Sequence, residues 1–382
     1  MTNRRDFLRL AAIGAGSMLV APRIVFANVA TDRRFVFIIQ RGAADGLNIV
    51  VPYADPAYAQ LRGKLAIDAA DAIKLDGTFA LHPSLTNMGS LYTSQQALFV
   101  HAVASPYRER SHFDGQNVLE TGGLSPYQIK DGWLNRLVTL LPKSADKAIA
   151  FAPTIPAALR GSAEVTSYAP SNLPEAPDDL LLRVAQLYDK DQQFHPVWSA
   201  AMEARGFFKD LETRQNPATA GKTAAEALVR ADGPRIAMIE TSGWDTHSGQ
   251  DNRLANQLKA LDSMIAALRD GLGDIWAQTT VLVATEFGRT AAANGTGGTD
   301  HGTATTALVL GGAVKGGRIL TDWPGLSPNA LYENRDLKPT MDLDALITAI
   351  AAETFGLDTE HTMKTLFPGR PIDRSLHGLI IT

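Results

Sequence analysis

Ile236-Ala237-Met238-Ile239-Glu240-Thr241-Ser242-Gly243-Trp244-Asp245-Thr246-His247 opens the stretch that decides the fold. Ile236–Ile239 is a short apolar run, the pattern of a strand buried on both faces. Beyond it, Leu254, Leu258, Leu261, Ile265, Leu268 and Leu272 recur at alternating spacings of four and three, placing one apolar stripe along a helix. Thr280–Ala284 then supplies a second apolar run, so 236–284 reads as a strand–helix–strand unit. Similar runs occur at 35–39, 97–103, 148–152 and 307–310. Together they predict a doubly wound, mostly parallel α/β sheet with helices on both faces. Residues 32–382 are expected to form one domain. Within it, 153–235 reads as a largely helical insertion over one end of the sheet. Pro153, Pro156, Pro170, Pro174 and Pro177 punctuate its start, 178–197 looks helical, and 216–222 reads as a loop.

The first residues have a different character. Asn3-Arg4-Arg5-Asp6-Phe7-Leu8-Arg9 precedes an apolar run from Leu10 to Ala21 and a small-residue end at Ala27. Paired arginines, a short apolar core and a small residue at the cleavage point make a twin-arginine signal peptide over 1–27. The run is too short for a membrane anchor, which needs about 20 apolar residues, and no later segment is long and apolar enough. The chain is therefore expected in the periplasm or outside the cell, with the twin-arginine export machinery as a partner.

Of 382 residues, 45% are hydrophobic and 20% charged, the balance of a folded enzyme. Removing 1–27 takes away four arginines and one aspartate, moving the net charge from −4 to −7. An acidic mature chain has no electrostatic reason to seek nucleic acid or anionic lipid. Cysteine is absent, which excludes disulfides, thiolate catalysis and sulfur ligation. Any metal must be held by oxygen and nitrogen.

The chemistry-bearing residues cluster where strands end, which is where open α/β sheets bind ligands. Three of the eight histidines, His112, His247 and His301, lie within two residues of an aspartate. Asp245 and His247 follow the 236–239 strand and, two apart in an extended loop, can point the same way. Asp300-His301 precedes the 307–310 strand, and Glu286 and Arg289 follow the 280–284 strand. Arg289 could bind a substrate anion or pair with Glu286. Asp45 follows the first strand, as a ligand or as an Asx-turn aspartate. Arg110-Ser111-His112-Phe113-Asp114 reads as the start of a helix, with Ser111 either an N-cap or a nucleophile. His112 and Asp114 could be ligands or could bond each other. The flexible loop 294–298 could close over a bound group.

Arg41–Asn48, Arg110–Gln116, Gly243–His247, Glu286–Thr290 and Gly298–Gly302, with the leader, resemble an exported bacterial family classed by domain of unknown function 1501. The core resembles the alkaline phosphatase and sulfatase superfamily, over roughly 32–375. The resemblance implies an alkaline-phosphatase-like fold, Asp45 as the aspartate after the first strand, and Ser111 as nucleophile. Glu240 and Asp245 keep the superfamily's five-residue interval, with His247 nearer than usual. Where that pattern has Asp-His, this chain has Glu286-Phe287, with His301 in the later position. Phe287 cannot ligate, so one nitrogen is lost unless His112 replaces it. The resemblance thus implies one metal site from Asp245, His247 and His301, and a weaker second from Asp45, Glu286 and Ser111 or His112. Asp300 belongs to the same candidate ligand set, and the cation would be Zn, Mn, Mg or Ca.

Three functions are compatible with these residues. The first is a metal-dependent hydrolase of phosphate or sulfate esters, acting on a small anionic or sugar-derived substrate, with Ser111 attacking and Arg110 or Arg289 neutralising charge. The second is a metal- or anion-binding protein without turnover. The third is a secretion-associated structural partner that uses the same fold for its surface.

Overall fold

The computed structural model describes residues 31–143, 147–169, 178–207, 216–373 and 375–381. The leader and Pro170, Pro174 and Pro177 lie outside the described residues. Among the described residues, nine strands form the main sheet: β1 (Arg34–Gln40), β2 (Ala97–Ala104), β3 (Ala148–Phe151), β4 (Val165–Tyr168), β5 (Ile236–Thr241), β6 (Thr279–Ala284), β7 (Thr305–Leu310), β8 (Arg318–Leu320) and β9 (Met341–Asp342). Their order is β8-β2-β7-β6-β1-β5-β3-β4, with β9 beside β2. Pairings are parallel except those of β7, which runs antiparallel to both β6 and β2. The expected mostly parallel α/β sheet is present. No described helix is long and apolar enough to cross a membrane.

β1 lies at the centre, in register with β5 (Phe35 opposite Ile236) and β6 (Phe35 opposite Thr280). Alternation splits its side chains between two cores. Phe35, Phe37 and Ile39 pack with α2 (Trp133–Leu140) and α5 (Leu343–Phe355), through Trp133, Leu137, Leu346 and Ile350. Val36 and Ile38 face α4 (Gln250–Leu272), whose stripe from Leu254 to Leu272 is buried along its whole length. Each such leucine or isoleucine contributes about 1.5–3 kcal/mol by leaving water. Two-faced burial explains why β1 reads as a continuous apolar run.

The expected helical insertion is corrected in three places. Val165–Tyr168 is strand β4, extending the main sheet beyond β3. The segment read as a loop at 216–222 opens α3 (Pro217–Leu228), which packs on α4. Asn216 caps it by accepting from the Thr219 N–H, and Pro217 starts the helix where no N–H is needed. The run of alanine, threonine and glycine that follows looked like a linker. It lets α3 approach closely, since a Cβ on Gly221 would lie 2.2 Å from the Met264 carbonyl oxygen. The stretch read as one helix at 178–197 divides into Asp178–Tyr188 and Phe194–Phe207.

Asp45, expected as a ligand, is buried in an ion pair instead. Arg62 donates to both its oxygens at 2.5 and 2.8 Å, and Gln250 of α4 donates to one of them. Its carboxylate ties the loop after β1 to the start of α4, with both oxygens engaged by these donors. Removing Arg62 would leave a buried charge without its counter-ion. Arg62→Leu should therefore lose about 3–5 kcal/mol in urea unfolding, and adding Asp45→Asn should recover much of it. A loss under about 1 kcal/mol in the single variant would show that the pair does not hold this loop.

Candidate metal centre

Four segments converge at the C-terminal end of the central strands. Asp245 and His247 come from the loop after β5. Gly42, directly after β1, has φ +119°, and a Cβ there would stand 2.6 Å from the Asp245 N. Only glycine lets the β1 turn lie against that loop. His112 opens α1 (His112–Thr121), whose N-cap Ser111 is extended and whose end at Gly122 is left-handed. His301 arrives on a ribbon folded back after β6. Gly288 N donates to Thr303 O at 2.9 Å, Thr290 N to Asp300 O at 2.9 Å, and Arg289 bridges His301. A Cβ on Gly298 would lie 2.3 Å from the His247 carbonyl carbon, so this glycine seats the ribbon on the His247 loop.

The ring nitrogens meet at one place. His247 Nε2 is 3.0 Å from His301 Nε2 and 3.1 Å from Asp245 Oδ1. His301 Nε2 is 3.4 Å from the same oxygen. His112 Nε2 lies 3.4 Å from Asp245 Oδ2 but without hydrogen-bond geometry, and so is buried without a hydrogen-bond partner among the described residues. His112, Asp245 and His301 offer ligand atoms all within 4.8 Å of one another.

The opposite nitrogens decide what the meeting atoms are. His112 Nδ1 faces Glu286 Oε1 at 2.8 Å, His247 Nδ1 faces Asp300 Oδ1 at 3.1 Å, and His301 Nδ1 faces the Arg110 carbonyl at 2.9 Å. An ionised carboxylate or a carbonyl oxygen only accepts, so each Nδ1 carries the proton. In the neutral rings all three Nε2 atoms are then bare lone pairs. Two lone pairs at 3.0 Å, beside a carboxylate, repel unless a proton or a cation lies among them. This donor set fits a divalent metal. Nitrogen and oxygen ligands suit zinc or manganese, and outer oxygens fixing the far ring nitrogen are the usual companions of metal-bound histidine.

Charge in the cluster follows from the same contacts. Glu286's hydrogen bond raises the His112 pKa against the opposing effect of burial. Burial works to raise Asp245, but the hydrogen bond and charge of Arg289, helped by His112 and His247, bring it below the ordinary value. Burial likewise opposes ionisation of Glu286, and donors from His112, Gln116 and Thr285 outweigh it. His301 is lowered, first by burial.

Several expected roles change. Glu286 is buried and its oxygens take Gly42 N at 2.9 Å, Gln116 Nε2 at 3.0 Å, Thr285 Oγ1 at 2.8 Å and His112. It orients His112 and is not placed as a ligand. Asp300 accepts from His247 and Asn294 and orients His247 in the same way. The weaker second metal site is therefore not assembled: Asp45 and Glu286 are both spent elsewhere, and His112 has joined the first. Arg289 pairs with neither a free anion position nor Glu286. Its buried guanidinium donates to Asp245 at 2.6 Å and to Thr299. Arg110 directs its side chain to Asp336 at 2.8 Å and Glu333 at 2.5 Å, and serves His301 through its carbonyl, with φ at +61°. Neither guanidinium is available to an anion as placed. Ser111 makes no side-chain capping bond at α1. Phe287 is buried against His112 and His301, with ring centroids 5.2 and 5.4 Å away. It forms an apolar floor beneath the two rings. Gln116, Asn294 and Thr299 were missed, since neutral side chains carry no sequence signal for a site.

With this geometry in hand, the chain is placed by comparison. It matches the family described as Protein of unknown function (DUF1501) over residues 32–367 and belongs to that family. Comparison with curated proteins finds no match. Solved structures of the alkaline phosphatase superfamily align with it. The C-terminal periplasmic domain of EcEptC from Escherichia coli, in complex with Zn, is 9% identical with a TM-score of 0.40, covering 75% of this chain and 74% of that one. A protein of the alkaline phosphatase superfamily from Vibrio parahaemolyticus is 12% identical with a TM-score of 0.38, covering 90% and 71%. Alkaline phosphatase from the Antarctic bacterium TAB5 is 9% identical with a TM-score of 0.37, covering 88% and 99%. The chemistry rests on the side chains described above.

In the metal-free protein, the stability His112 draws from Glu286 is fully present below its ordinary value of 6.5 and is lost as pH rises through its raised folded value. Thermal unfolding of metal-free wild type and His112→Asn should accordingly differ most below pH 6.5, with the gap closing above the folded value. Metal uptake runs the other way, because the cation needs an unprotonated Nε2. A stability gap that widens with rising pH would show that Glu286 does not hold a proton on His112.

Proposed function

We propose that this chain is an exported, single-metal hydrolase of phosphate or sulfate esters. The observation that carries the reading is the convergence of three imidazole Nε2 atoms and Asp245, each ring locked from behind by an acceptor. His112, His247, His301 and Asp245 would hold the cation. When bound, it would act as a Lewis acid on an ester oxygen. The remaining work falls to the chain itself. The first N–H groups of α1, not capped by the Ser111 side chain, point at the anionic oxygens. Ser111, one residue before His112, is the nucleophile. Glu286 and Asp300 keep His112 and His247 in the tautomer that leaves Nε2 open, and Phe287 keeps water from the rear of His112 and His301.

A second reading has its own support. Arg110 and Arg289 are both committed to carboxylates, so no arginine of these motifs is free to neutralise charge building on a transferred group. That arrangement favours a metal-binding protein without turnover. The variants separate the two readings. In a hydrolase, His301→Ala should remove metal and activity together. Ser111→Ala should keep the metal and lower kcat on the order of a thousandfold or more. A wild type that binds zinc or manganese yet cleaves no ester of a phosphatase and sulfatase panel would establish the binding reading.

Export through the twin-arginine route is part of the proposal. It is supported by the paired Arg4 and Arg5 ahead of a short apolar run. Replacing both by lysine should leave most of the precursor in the cytoplasm on fractionation. Undiminished yield outside it would refute the route.

A further inference from the structure

His301 brings its ring to the metal centre, but the atom that orients the ring belongs to another loop. Its Nδ1 donates to the Arg110 carbonyl at 2.9 Å. Arg110 has φ +61°, in the left-handed region that a residue with a side chain adopts only at a cost. The peptide that follows is held at both ends, because the Ser111 N–H donates to the Tyr107 hydroxyl at 3.1 Å. Returning Arg110 to a negative φ would rotate that peptide and carry its carbonyl off the His301 ring.

The side chain of Arg110 offsets that cost. Its Nε donates to Asp336 Oδ2 at 2.9 Å, and its Nη2 lies 2.8 Å from the same oxygen. Glu333, which Arg110 also meets, is exposed, whereas Asp336 is fully buried, so the pair with Asp336 is the stronger restraint. Arg335 donates to the other Asp336 oxygen at 3.0 Å. Oδ2 also accepts from Thr303 Oγ1 at 2.8 Å, two residues beyond His301. One carboxylate oxygen therefore anchors both the residue that supplies the acceptor and the ribbon that carries the ring. Asp336 is fixed in turn by its backbone. Tyr332 and Asp336 each donate an N–H to the other's carbonyl, at 2.9 and 3.0 Å, and Ala291 N donates to Arg335 O at 3.0 Å. The second of these contacts ties the 332–336 turn to the segment that follows Arg289.

We propose that Asp336 is a positioning residue of the metal centre, setting the direction and tautomer of His301 through Arg110 and Thr303. The ion pair holds Arg110 left-handed, the carbonyl receives the Nδ1 proton, and Nε2 is left bare toward Asp245 and His247. The inference rests on the metal-binding reading of the site and needs no ester turnover.

Two measurements on the mature chain test it together: calorimetric titration with zinc against a competing chelator, and nitrogen NMR of labelled imidazoles in metal-free protein at alkaline pH. Arg110→Ala should weaken zinc binding about tenfold or more, the usual loss when the outer partner of a metal-bound histidine is removed. The His301 ring should lose its Nδ1–H signature in the same variant. Arg110→Gly removes the same side chain but takes a positive φ freely, so most of the affinity and the signature should return. Asp336→Asn should weaken zinc binding severalfold and disturb the His301 ring while leaving those of His112 and His247 unchanged. Should the unpaired Asp336 unfold the Arg110 variants, the alanine and glycine forms are compared with Asp336→Asn added to both. Equal losses in the alanine and glycine forms would overturn the proposal, as would zinc affinity unchanged in Arg110→Ala and Asp336→Asn. A wild type that takes up no zinc would defeat the metal reading, and the His301 tautomer would still decide whether Arg110 and Asp336 position the ring.

Discussion

The buried guanidinium of Arg289 is the constraint on which the site depends. It leaves β6, turns inward, and donates to Thr299 on the returning ribbon and to Asp245 on the loop after β5. One side chain thereby joins two loops that approach the site from different strands. It also keeps Asp245 ionised in a partly buried place, so a carboxylate stands ready beside three imidazoles. Burying that many charged groups is costly unless each is paired. The pairing is nearly complete: Glu286, Asp300, Asp336 and Asp45 each face a named donor.

What the pairing leaves over is the functional statement. Among the described residues, His112 Nε2 is buried with no hydrogen-bond partner, and His247 Nε2 faces His301 Nε2 with both far nitrogens already protonated. A site built only for stability would have filled these valences internally. Instead the acceptors stand behind the rings and the lone pairs stand in front. Phe287, buried beneath His112 and His301, gives the two rings a dry apolar floor.

The resemblance to a two-site superfamily pointed to more ligands than the fold brings together. Asp45, Glu286 and Asp300 have the right chemistry and the right place near strand ends. Each is claimed by nearer donors: Asp45 by Arg62, Glu286 by four donors including Gly42 N, and Asp300 by His247 with Asn294. Proximity in sequence to a histidine says nothing about which partner a carboxylate will meet, because that is set by chain segments far away. Arg62 is seventeen residues from Asp45, and Gln250 is 205 away.

The sheet was legible early because its cause is local. A strand buried on both faces must be apolar throughout, and a helix covering it must carry a stripe at 3.6-residue period, so 236–284 declared its structure in its own residues. Asp245, His247 and His301 were legible as a set because strand-end loops converge for topological reasons. The helix at Pro217–Leu228 was not, since its alanines and glycine earn their place only by packing against α4. The roles of Asp45, Arg110, Arg289 and Glu286 were also beyond reach of the sequence. A charged side chain chooses between ligand, counter-ion and orienting group according to which opposite charge lies within a few ångströms, and only the tertiary structure decides that.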